Sequence, residues 1–174
     1  MENLQYPIGK FQHDDAVTAE KRELWIRNVA GLPERLEQAV AGLSDAQLDT
    51  AYRPEGWTVR QLVHHIADSH INAYVRVRLA LTEDKPTIKA YDQAAWARLA
   101  DARSAPLRPS LAIISAVHAR WVLLLRSLEE ADFARPFHHP EWGDIDLDTT
   151  LQMYAWHGDH HLAHITGLRK RKGW

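Results

Sequence analysis

The residues best suited to chemistry stand together near the C-terminal end, in the run His157-Gly158-Asp159-His160-His161-Leu162-Ala163-His164. Its four histidines fall at i, i+3, i+4 and i+7, the spacing of one helical face. At about 100° per residue, Met153, Tyr154, Ile165 and Leu168 share that side, and Gln152, Asp159, Thr166 and Lys170 lie opposite. The histidines therefore point inward with the apolar residues. Buried ring nitrogens cost on the order of 1–3 kcal/mol each when unpaired, and one metal ion satisfies several at once. His157/His161 and His160/His164 are both i,i+4 pairs, the spacing that lets two imidazoles on successive turns reach one ion. Spacing alone does not choose between the pairs. A lone histidine is more often a satisfied core or surface residue than a ligand, and His13, His138 and His139 are read that way. The rival reading of the stripe is a pH-sensing cluster.

A catalytic divalent site usually takes three protein ligands and keeps a position open, so a third ligand is expected from a facing helix. The segment Thr58–Leu81 is apolar around most of its surface (Leu62, Val63, Ile66, Ala67, Ala73, Val77), with one polar stripe of Thr58, Gln61, His65, Asp68, Ser69, Asn72 and Arg76. A helix apolar nearly all round is buried, so the stripe is expected to line an internal cavity with His65 at its middle. His65, His160 and His164 then form a candidate open three-histidine site. Three neutral nitrogen ligands suit Zn²⁺ or Ni²⁺, and with no anionic ligand the ion keeps the charge that lowers the pKa of bound water or thiol. Asp68, one turn from His65, is the candidate general base. Arg76 and Arg120 are either surface charges or cavity residues that hold an anionic substrate.

The elements that must position these residues are four long helices. The first is expected over Ala19–Leu43, with Pro33 predicting a kink or a break. Ser44–Gln47 and Thr58–Gln61 are capping-box patterns. The second helix runs from Thr58 to about Leu81, the third from Pro109 to about Leu128, and the fourth from about Thr149 to Arg169. An extended arm to about Asp15 precedes them. Residues 82–109 form a long connection with a short helix near Asp92–Leu99, and Phe133–Leu147 a loop or small hairpin. This pattern predicts an all-α fold, an up-down four-helix bundle in a single domain over 1–174, and connections as long as the one after the second helix are often functional.

Composition narrows the function further. A net charge of −2 carries no basic footprint of a nucleic-acid binder. No apolar run of ~18 residues suggests a membrane span, and Met1–Phe11 has no signal-peptide pattern, so the expected compartment is the cytoplasm. There is no cysteine for a disulfide or thiolate ligand. The 7 tryptophans are spread along the chain, as core or loop anchors would be.

The run Gly56-Trp57-Thr58-Val59-Arg60-Gln61-Leu62-Val63-His64-His65-Ile66-Ala67-Asp68-Ser69-His70, followed by Trp156-His157 and His160-His161-Leu162-Ala163-His164-Ile165-Thr166, resembles the DinB superfamily, and within it the YfiT-like type. Leu48-Asp49-Thr50, Tyr52, Tyr91-Asp92 and Gly173-Trp174 extend the likeness along the whole chain. The resemblance implies a four-helix bundle, a homodimer, and one divalent metal held by His65, His160 and His164 rather than by His157 and His161. Asp159 stands where the resemblance leads one to expect another histidine, on the side away from the metal.

Members of this group are described as metal-dependent hydrolases, and others of the superfamily as S-transferases that use bacillithiol, mycothiol or glutathione. The first expectation is therefore an S-transferase that joins a low-molecular-weight thiol to an electrophilic small molecule, with Ser69, Asn72, Arg76 and Arg120 binding the thiol's carboxylates or sugar. The second is a hydrolase using metal-bound water with Asp68 as its base. The third is a non-catalytic metal-binding stress protein.

Overall fold

Capping side chains set where three of the four long helices begin. In this computed structural model, which describes residues 4–174, Thr18 accepts from the Lys21 amide and opens α1 (Ala19–Val40). Ser44 and Gln47 close a capping box on the short α2 (Asp45–Leu48), and Thr58 and Gln61 close another on α3 (Val59–Thr82). The connection that follows holds two short helices, α4 (Gln93–Trp96) and α5 (Ala100–Ser104), where the sequence suggested one. α6 (Arg108–Arg126) starts with Pro109 in its first turn. After α7 (Glu130–Phe133), β1 (Pro136–His139) and β2 (Gly143–Asp146) pair antiparallel as a small hairpin. Asp146 accepts from the Thr149 amide and opens α8 (Leu147–Lys172), which ends at Gly173 in the left-handed conformation, φ 68°. The N-terminal arm lies along α8: the Asp14 amide donates to Gln152 Oε1 at 2.9 Å. Its first three residues are outside those described.

The four-helix bundle expected from the periodicity is present. α1 packs on α6 and α8, and α3 packs on the same two helices, so the successive pairs α1/α3 and α6/α8 sit across the bundle from one another. α6 is long and apolar enough by composition to cross a membrane, with a mean hydropathy of 1.2 over 18 residues. It is a core helix of the bundle, burying Ile114, His118, Trp121, Val122 and Leu125. α1 continues through Pro33 without a break.

The apolar core is in two parts. One gathers Ile26 and Val29 with Val77, Trp121, Leu125 and Leu151; the other gathers Leu32 and Leu36 with Leu62, Ile66, Ile114 and Ile165. Between them, on the inward faces of three helices, the chain places histidine: His65 and His70 on α3, His118 on α6, and His157, His161 and His164 on α8. The bundle is thus two hydrophobic blocks separated by an imidazole layer.

Candidate metal centre

Two groups of three histidines bring their ring nitrogens within 4.8 Å of one another. The first is His65, His157 and His161, from α3 and α8. The second is His160, His161 and His164, all from α8. His161 belongs to both. The set His65, His160 and His164 expected from the resemblance is therefore divided between the two. His160 Nε2 and His164 Nε2 meet at 3.1 Å, but the rings that face His65 are those of His161 and His157, with centroids 5.0 and 5.4 Å away.

The reason is the rotation of α8 about its own axis. The two i,i+4 pairs lie about 60° apart on the helix, and their neighbours decide which one looks at α3. Gly158 lies against Leu32 of α1 so closely that a Cβ there would come within 2.6 Å of Leu32 Cδ2. Asp159 is tied to the same helix, accepting from Arg35 Nη1 at 2.6 Å and from Asn28 Nδ2 at 2.5 Å. With 158 and 159 held against α1, His157 and His161 turn toward α3.

A chain of hydrogen bonds fixes the tautomer of His157. Proline has no N–H, so Pro33 leaves the Val29 carbonyl four residues earlier without its helical donor. His118 Nδ1 approaches that carbonyl at 2.6 Å, and a carbonyl only accepts, so His118 donates from Nδ1. Burial pushes the pKa values of His118, His70 and His157 down and keeps all three neutral. Neutral His118 then presents a lone pair at Nε2 and accepts from His70 Nδ1 at 2.8 Å. His70 in turn accepts at Nε2 from His157 Nδ1 at 3.1 Å. His157 is left with a bare Nε2 lone pair 3.1 Å from His161 Nε2.

That end of the chain is incomplete as protein alone. If His161 protonates Nε2 it satisfies His157, but its buried Nδ1 has no acceptor or donor among the described residues. If it protonates Nδ1, two lone pairs face each other. A cation between them removes the conflict. Two nitrogens at zinc's 2.0–2.1 Å in tetrahedral geometry stand about 3.3 Å apart, close to the spacing present. The residues therefore fit a divalent ion. Burial also pushes His65 down to about 4, leaving it a neutral ligand at pH 7.

His70 and His118 went unnoticed as part of this system in the sequence, although His118 falls on the buried stripe with Ile114 and Trp121. They act as positioning residues. Replacing His118 by Phe removes the acceptor that orients His70, and loss of such an outer partner typically costs 10–100-fold in metal affinity. Competition with a chromophoric zinc chelator should show that loss for His118→Phe. His118→Gln, which can donate to Val29 and accept from His70, should recover most of it. Equal affinity in His118→Phe and the parent would show that the chain of imidazoles does not orient the site.

The histidines open onto a cavity of about 390 Å³ rimmed by Tyr6, Tyr52, Arg53 and Trp57. Tyr52 lies on His164 with ring centroids 4.1 Å apart. Burial, then the charges of His160, Arg53 and Arg171, hold His164 down at about 3. A second cavity of about 740 Å³ shares Gln93, Trp156 and His157 with the first and is lined by Ser69 and Arg76, as expected of them.

The other candidates fall elsewhere. Asp68 is half-buried and lines neither cavity; burial and then the Asp101 carboxylate push it up to about 6. Asn72 donates from Nδ2 to the Asp68 carbonyl of its own helix at 2.8 Å and also lines neither. Arg120 is exposed on α6, stacked over Tyr74. The sequence stripe fails at Asn72 because a helical face broad enough to hold seven residues meets more than one neighbour. His139 is a further correction: it is 3 % exposed, lies flat on Trp142 and lines the second cavity.

Residues 30–165 match the sequence profile of the DinB superfamily. A relative from Oceanobacillus iheyensis is 51 % identical over 172 residues, covering 99 % of both chains, and is named "Putative metal-dependent hydrolase". The Bacillus subtilis protein YfiT, which has the same designation, is 47 % identical over 173 residues, covering 99 % of this chain and 97 % of its own. Its solved structure, described as "a probable metal-dependent hydrolase with an unusual four-helix bundle topology", superposes with a TM-score of 0.96 over 99 % of each chain. TT2238, a four-helix bundle protein 17 % identical, superposes at 0.60 over 84 % of this chain and 98 % of its own, a likeness of fold alone.

Proposed function

This chain belongs to the DinB superfamily, and we propose that it is a metal-dependent enzyme that holds one zinc or nickel ion on His65, His157 and His161 and joins a low-molecular-weight thiol to an electrophilic small molecule. The observation that carries the reading is the composition of the histidine cavity. Three neutral imidazoles converge at its floor, and the one carboxylate among its described lining residues is Glu55, exposed at the rim. Hydrolysis by activated water ordinarily calls for a carboxylate base beside the water, and Asp68 does not line this cavity. A divalent ion on all-nitrogen ligands acts as a Lewis acid and lowers the pKa of a thiol that reaches it.

The chain's own residues supply the rest. The thiol proton leaves to solvent through the cavity mouth, because burial holds His160 and His164 below the ordinary histidine pKa and makes them poor proton acceptors. The sulfur lone pair forms the new S–C bond, and the leaving group departs with the electrons of the bond that breaks, as a free anion when it is chloride. Tyr6, Tyr52 and Trp57 at the mouth restrict water.

The test is an assay of the zinc-loaded protein with bacillithiol, glutathione or cysteine and 1-chloro-2,4-dinitrobenzene. The reading expects thioether formation above the uncatalysed rate that requires both thiol and metal and stops with a chelator. The second reading is a hydrolase, which the names of the relatives support; Glu55 is the one carboxylate among the described residues lining the histidine cavity. Metal-dependent ester or amide cleavage that ignores added thiol, with no thioether formed, would establish it and overturn the first.

A further inference from the structure

The second cavity contains a buried charge that the protein does not neutralise. Two other guanidinium groups among the described residues are buried or nearly so, and both show the ordinary solution. Arg22 is held by Asp148 at 2.7 Å, and Arg60 by Asp49 and Asp45 at 2.6 and 2.8 Å. Arg76 is 7 % exposed, yet it forms no ion pair with a carboxylate among the described residues; its Nη2 reaches the Lys89 carbonyl at 3.4 Å. A guanidinium taken out of water without a counter-charge is costly unless a ligand supplies one.

The groups around it are donors. The hydroxyls of Ser69, Tyr91 and Tyr154 gather beside Arg76, with burial holding the Tyr91 phenol protonated. The indole N–H of Trp156, which lines both cavities, is buried with no acceptor among the described residues. The two acids on this cavity wall, Asp92 and Glu141, are both exposed and neither pairs with Arg76; Asp92 caps α4, accepting from the Ala95 amide at 2.9 Å. A planar fork of N–H groups flanked by hydroxyl and indole donors matches a carboxylate or a phosphate, which it can hold through two parallel hydrogen bonds.

We propose that the second cavity is an oxyanion subsite, in which Arg76 binds the carboxylate or phosphate at one end of a small molecule whose other end reaches the histidine trio. This rests on the reading that a small molecule reacts at that trio. The helix sets the length of the ligand. Ser69 stands one turn from His65 on α3, about 6 Å along the axis at 1.5 Å per residue, and Arg76 two turns further. Eleven residues put Arg76 about 16 Å from His65 along the axis, so with Ser69 as the near limit the anionic end and the reacting end are separated by roughly 6–16 Å. Arg76 therefore selects a molecule of several bonds with a terminal anion, in preference to a bare ion or a neutral compound of the same size.

Calorimetric titration of the zinc-loaded protein with succinate and, separately, with inorganic phosphate tests this, with metal content measured on the same samples. The parent and Arg120→Gln, which alters an exposed arginine outside both cavities, should bind one probe saturably. Arg76→Gln should lose at least tenfold in affinity at unchanged metal content, and Arg76→Lys, which keeps the charge and guards against a simple folding defect, should fall between. The tighter of the two probes identifies the anion as carboxylate or phosphate. Equal binding by the parent and Arg76→Gln would place the anion on the metal and overturn the subsite, as would no saturable binding at all. Arg76-dependent binding in a protein that shows no thiol transfer would instead overturn the transfer reading and leave the subsite standing.

Discussion

His161→Ala is expected to give a chain without stoichiometric zinc or nickel, and His65→Ala and His157→Ala the same. Zinc binding worth roughly 10–16 kcal/mol over four ligands puts a single ligand at about 3 kcal/mol, more than a hundredfold in affinity. His164→Ala should keep its metal. That contrast separates the geometry from the resemblance: His65 faces His157 and His161, whereas the resemblance pairs it with His160 and His164. Elemental analysis of the four variants, purified without a histidine tag, decides between them. Metal lost from His164→Ala and retained by His157→Ala would show that the second histidine group holds the ion. His161 is common to both groups, so metal retained by His161→Ala would rule out either.

The second large effect is on stability in acid. His64, His65, His70, His118, His157, His160, His161 and His164 are all held below the ordinary histidine pKa, chiefly by burial. Each takes up its proton more readily unfolded than folded. Their contribution is therefore complete above pH 6.5 and is lost as the pH falls toward the folded values. For His65, between 6.5 and about 4, this amounts to on the order of 3 kcal/mol. Domain stabilities are about 5–15 kcal/mol, so a few such groups are enough to unfold the chain. Asp68, pushed up to about 6, acts in the opposite sense between its ordinary 3.8 and 6, but it is one group against eight. Thermal melts of chelator-treated protein should show a midpoint that falls steeply between pH 7 and pH 5. The zinc-loaded protein should hold its midpoint further into that range, because the metal competes with protons for the same nitrogens. A midpoint constant from pH 7 to pH 5 in the metal-free protein would mean that the imidazole layer is not buried and neutral as described.

Much of the architecture was legible because local rules decide it. Thr58 and Gln61 satisfy one another's backbone neighbours three residues apart, so the start of α3 is readable from four residues. The same holds at Ser44 and Gln47. Pro33 was less legible. Its missing N–H predicts a kink or a break; the helix runs on without a break, and the freed carbonyl is used by His118 from another helix, a partner 89 residues away that no local pattern reveals. His139 looked like a loop residue because the hairpin that buries it depends on contacts with the 82–109 connection, where the Ile88 amide donates to the His138 carbonyl.

By itself, the sequence determined that the chain forms a helical bundle, that α8 turns a stripe of histidines inward, and that α3 faces it with His65 on a polar stripe. Helical periodicity and burial are enough for each of these. The tertiary structure decided which histidines meet. Pairs 60° apart on one helix are equivalent until a neighbour fixes the helix's rotation, and here Gly158 against Leu32 and Asp159 against Arg35 do so. It also decided that Arg76 is left without a carboxylate while Arg22 and Arg60 are paired, since a charge's partner is set by packing across the bundle and not by its place along the chain.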